Sequence, residues 1–112
     1  MAKDDYHVIV YKILIYLYTC LKQGEKPSFE YLSYEKMKIS ESYWNYILRH
    51  MYQEGYVEGI SLVQMIGTDD PGIKLLSNFM ITPKGIEYLE NNSTMNKAKE
   101  FLKTVKEIIP GM

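Results

Sequence analysis

The sequence predicts an α+β domain, mainly α, of the winged helix-turn-helix kind: a three-helix core, a β-hairpin wing and two C-terminal helices. Three observations predict it. In Phe79-Met80-Ile81-Thr82-Pro83-Lys84-Gly85-Ile86-Glu87-Tyr88-Leu89 a strand-like alternation gives way to helical spacing, with Thr82 able to cap a helix and Pro83 suited to its first turn. Gly67-Thr68-Asp69-Asp70-Pro71-Gly72 is a dense turn signal between two β-rich runs. Upstream, two amphipathic segments meet at Lys38-Ile39, the short turn that a helix-turn-helix requires.

The first helix starts at a cap on Asp4 or Asp5 and runs to about Gln23, with Gly24 as its stop. Its apolar arc is wide. Ile9, Val10, Ile13, Leu14, Leu17 and Leu21 form the centre, flanked by Tyr11, Tyr16 and Tyr18. Lys12, Thr19 and Lys22 mark a narrow wet strip that still includes Val8 and Ile15. One core needs an apolar stripe of only ~100° or somewhat more. The surplus predicts a second contact, and in a chain this small another subunit is the natural candidate.

Ser28 caps a predicted second helix through about Met37, facing inward through Phe29 and Leu32, with Lys36 at the same helical spacing. Ser40 caps the third, roughly Glu41 to Glu54, which packs through Trp44, Ile47, Leu48, Met51 and Tyr52 and ends at Gly55. Tyr56 to Ile66 and Ile73 to Ile81 are the two strands of the hairpin. A fourth helix runs from Pro83 to about Glu90. The last spans residues 94–109, an appended amphipathic helix with Met95, Ala98, Phe101, Leu102, Val105, Ile108 and Ile109 on one stripe of ~140°. No repeat or linker is visible, so residues 1–112 read as one domain.

At 112 residues, 46% hydrophobic and 24% charged, the composition is that of a folded chain with a real core. Eleven tyrosines suit core margins and interfaces, because each hydroxyl needs a partner or water. Cys20 is the sole cysteine, which excludes an internal disulfide and a cysteine-based zinc site. There is no leader pattern, and the apolar run Val8–Leu21 is interrupted by Lys12 and too short to span a bilayer. The expectation is a cytoplasmic protein without a membrane partner.

The element order covers nearly the whole chain and resembles the YjcQ family, small winged-helix proteins of Gram-positive bacteria and their phages. The resemblance rests on Glu54-Gly55-Tyr56-Val57 with Gly59, on Ile81-Thr82-x-x-Gly85-x-x-Tyr88-Leu89, and on the Lys/Glu-rich amphipathic tail from Met95. The Gly-Tyr junction and the Ile-Thr-x-x-Gly motif are shared with many winged-helix regulators; the tail after Asn91-Asn92 narrows the family. The resemblance implies architecture and a bacterial or prophage origin, with no settled biochemical role. Two features depart from it: the first helix is longer and more apolar, and the tip of the wing is acidic.

No enzyme is expected, and neither a cofactor nor a metal site. His7 and His50 lie in different helices, without ligand spacing or a carboxylate placed as base or orienter, and no small-molecule substrate is evident. Two other readings stay open. In the first, the protein is a weak or dimeric DNA-binding regulator of transcription. The second helix of a helix-turn-helix enters the major groove of double-stranded DNA. Here its outward face carries Ser42, Asn45, Tyr46, Arg49, His50 and Gln53, of which Arg49 can read guanine, Asn45 or Gln53 adenine, and Ser42 a phosphate. An ordinary solvent face is the plain alternative. Charge opposes strong binding: from Ser40 to Asn92 three cations face seven carboxylates, a net charge of −4 where phosphates would lie. In the second reading the chain is a protein-interaction or assembly module. A homodimer is expected in either case, through Tyr11, Ile15 and Tyr18 of the first helix with Phe101, Val105 and Ile108 of the last.

Overall fold

The computed structural model describes residues 5–63, 67 and 72–91. The predicted last helix, and with it Phe101, Val105 and Ile108, lies outside them, as do Asp69 and Asp70. The described chain is α+β and mainly helical: α1 (Tyr6–Gln23), α2 (Tyr34–Met37), α3 (Glu41–Gln53), β1 (Val57–Val63), β2 (Gly72–Ile81) and α4 (Pro83–Asn91).

Helix α1 ends as predicted. Gly24 adopts a left-handed φ of 70°, and the amides of Gly24 and Glu25 close onto Leu21 and Cys20. Asp5 holds the N-cap position without a side-chain capping bond. The surroundings of α1 explain its wide apolar arc. It packs against α3, β2 and α4, so Ile9, Ile13, Leu14 and Leu17 are fully buried. Tyr16, predicted as a flank, is also buried, with its hydroxyl accepting the Ser28 amide at 2.8 Å. Thr19 and Val8, assigned to the wet strip, are buried as well; the Thr19 hydroxyl is satisfied by donating to the Ile15 carbonyl. Leu21, placed at the centre of the arc, is exposed in the last turn, beside a groove between residues 24–27 and 77–80. Much of the arc is therefore consumed within the chain.

The second helix is shorter than predicted. Ser28 caps nothing: its amide is held by Tyr16, and its carbonyl accepts from Tyr31 and Leu32 in a turn. Ser33 is the cap instead, accepting the Lys36 amide at 3.3 Å. With no helix there, Phe29 is exposed while Leu32 still reaches the core. Lys38 turns the chain with a left-handed φ of 59°, and Ser40 caps α3 on the Tyr43 amide at 3.1 Å. Helix α3 buries Trp44, Ile47, Leu48 and Met51. Tyr52 was assigned to that stripe but is exposed; at 100° per residue it falls roughly 90° from the stripe's centre.

Strands β1 and β2 pair antiparallel from Val57↔Ile81 to Val63↔Gly72, so Gly72 belongs to the strand and residues 64–71 connect the two. The register slips between Glu58 and Ile60, which face Met80 and Leu75. Three additional β2 residues are thus taken up opposite Gly59. The glycine permits this: its φ is +81°, and a Cβ there would stand 2.5 Å from the Phe79 nitrogen.

The motif Ile81-Thr82-x-x-Gly85 is a clasp at the base of the hairpin. The Thr82 hydroxyl accepts the Gly85 amide and donates to the Gly55 carbonyl, and the Thr82 amide donates to the Tyr56 carbonyl at 3.0 Å. Gly85 lies so close that a Cβ would stand 2.4 Å from the Tyr56 oxygen. Of the residues that carried the family resemblance, Gly59, Thr82 and Gly85 are therefore explained by close backbone approach and the Thr82 hydrogen bonds.

Candidate nucleic-acid interface

The buried stripe of α3 fixes what its other side presents. Ser42, Tyr46 and Gln53 are exposed, and Arg49 is half-buried among them. Asn45 stands apart. It is half-buried toward the hairpin and lines a cleft with Trp44 and Ile73. Of the six residues expected on the outward face, Ser42, Tyr46, Arg49 and Gln53 thus share one solvent-facing strip, His50 is half-buried against Tyr46, and Asn45 lies at the strip's edge.

That strip is not a row of loose side chains. The guanidinium of Arg49 lies 5.8 Å from the centre of the Tyr46 ring. Tyr46 contacts His50 with ring centres 4.3 Å apart and meets Tyr6 edge-on at 6.2 Å. Tyr6 packs on His7, the His7 Nδ1 and Tyr88 hydroxyl are hydrogen-bonded at 3.0 Å, and Tyr88 lies against Tyr56 at 4.9 Å. Burial, reinforced by neighbouring Tyr46, pushes the Tyr6 hydroxyl above the ordinary tyrosine range; burial does the same at Tyr88. Both phenols therefore stay neutral at physiological pH. This aromatic chain ties the start of α1 to α3 and α4. It was not legible in the sequence, because its members come from segments far apart and their types are common in core margins.

The predicted interface residues of α1 are Tyr11, Ile15 and Tyr18. All three are half-buried and packed against the core cluster. Cys20 is a fully buried core residue, and burial pushes its thiol pKa up. Among the described residues, no group of three or more His, Cys, Asp or Glu stands together, and no helix is long and apolar enough to cross a membrane.

A family model described as YjcQ protein matches residues 11–108. The chain belongs to that family. Comparison with curated proteins and with solved structures returned no match.

Proposed function

We propose that this member of the YjcQ family is a winged helix-turn-helix protein that binds double-stranded DNA as a regulator, with α3 as the helix that enters the major groove. The observation that carries the reading is the outward strip of α3. Ser42, Tyr46, Arg49 and Gln53 project from a helix whose opposite side is locked into the core, following a short capped helix and a three-residue turn. In this reading Arg49 dominates, oriented by the Tyr46 ring, and β1 and β2 form the wing.

The local charge of −4 sets the strength. With about two or three phosphate-facing cations per protomer, affinity should fall only gently with salt, with a log–log slope of roughly −2 to −3. The test is titration of labelled duplex DNA at low salt with wild type and Arg49→Ala. The substitution should cost ~1–3 kcal/mol on a selected site. Absence of binding by wild type, or equal binding by both, would overturn the reading.

A protein-interaction module is the second reading, and a specific observation favours it. The same negative charge that weakens DNA binding has no cost for a protein partner, and Leu62, Val63 and Leu76 are exposed on the hairpin. A homodimer fits either function. Its support is narrower than the sequence promised: the half-buried strip Tyr11, Ile15 and Tyr18 remains with the exposed Leu21, while the rest of the arc is used by the chain's own core.

A further inference from the structure

Between α2, the first turns of α3 and the far end of the hairpin lies a cleft of about 430 Å³, within the range of sites that hold small organic ligands. Leu32 and Trp44, both buried, form its base, and Val63 and Ile73 line it from the hairpin. Tyr34, Glu41 and Asn45 supply its polar rim. The Glu41 carboxylate beside Tyr34, with the added charge of Glu35, raises the Tyr34 phenol above its ordinary range. Among the described residues, Glu41 is the one ionised side chain that lines the cleft, and no lysine or arginine lines it. A carboxylate in the first turn of a helix is ordinary, being favoured by the helix dipole. That accounts for Glu41 but not for the open apolar space beside it, walled by two aromatic residues.

We propose that this cleft binds an organic monocation, a primary ammonium carried on an apolar or aromatic body, with Glu41 as its counter-charge and Trp44 and Tyr34 as its ring contacts. The chemistry is that of ammonium recognition by aromatic faces beside a carboxylate. A neutral ligand of the same shape would leave Glu41 unused, and an anion would be repelled by it. The proposal stands independently of DNA binding.

The test is a two-dimensional amide NMR titration with phenethylamine as the probe, alongside its neutral analogue phenylethanol and the anion phenylacetate. Phenethylamine should give saturable shifts clustered on the Trp44 indole N–H and the amides of Tyr34, Glu41, Asn45 and Ile73. Affinity in the millimolar range is appropriate to a ligand of about nine heavy atoms. Glu41→Gln should weaken the amine about fivefold while leaving phenylethanol unchanged. Val63→Lys, at an exposed strand position, should abolish amine binding by placing a cation in the cleft. The proposal is overturned by shifts that do not saturate up to about 20 mM or that scatter over the acidic surface. It is equally overturned by an equal response to phenylacetate, or by amine affinity unchanged in Glu41→Gln.

Discussion

Two glycines with similar backbone angles separate conformational cost from steric cost. Gly24 and Gly59 have φ values of 70° and 81°, but a Cβ at Gly24 would meet nothing within 4 Å, whereas at Gly59 it would meet the β2 backbone. Gly24→Ala should therefore lose only the left-handed preference, ~1 kcal/mol. Gly59→Ala should lose ~2 kcal/mol or more, since the strand opposite must move. Urea unfolding of the two variants checks the ordering; equal losses would refute it. Tyr16 makes a prediction about alkali. Burial pushes its hydroxyl pKa up to about 12 against the opposing effect of the Ser28 amide. Its folded value is thus above its unfolded value near 10. Its contribution is fully present below pH ~10 and lost as pH rises toward ~12. In Tyr16→Phe the fall of stability over that window should be shallower, and an unchanged slope would show that Tyr16 is not the group responsible.

At the scale of elements, the parts of the fold legible in sequence were those fixed locally. Ser40, Gly24 and the Ile81-Thr82-Pro83 switch encode their boundaries in a few adjacent residues, and α1, α3 and the strand-to-α4 switch lie where they were expected. The start of α2 was misread because Ser28 has the right residue type but the wrong partner, a tyrosine 12 positions upstream. Spacing along α3 identified its outward strip, yet could not show that Asn45 turns toward the hairpin or that Tyr46 rests on Tyr6 and His50. Those facts belong to tertiary contacts. The clasp is testable at this scale. Thr82→Val keeps the volume but removes the α4 cap and the tie to Gly55, and should cost ~1–2 kcal/mol. Thr82→Ser should restore most of it. If valine is harmless in thermal melts, the hydroxyl does not anchor α4.

For the whole molecule, α1 is the hub, and that changes what its breadth means. A wide apolar arc is the mark of a helix surrounded on many sides, whether by its own chain or by another. Sequence periodicity counts the sides but cannot say who occupies them. Ile13 is fully buried, whereas Ile15 is half-buried. Ile13→Ala should accordingly cost ~2–5 kcal/mol. Ile15→Lys should leave the fold intact and shift a dimer toward monomer in light scattering at tens of micromolar. A wild-type protein that is monomeric there, and indifferent to Ile15→Lys, would remove the homodimer from the proposal.

The clasp between Thr82 and the Gly55-Tyr56 carbonyls also bears on how such chains can diversify. It joins positions 27 residues apart and seals the neck of the hairpin independently of what lies beyond Val63 and Gly72. Lengthening a loop already closed at its neck costs little, about 0.6 kcal/mol per doubling. The arm is therefore a replaceable cassette. Insertions between Val63 and Gly72 can be sampled, by drift or by an engineer, with the body of the protein left as it is.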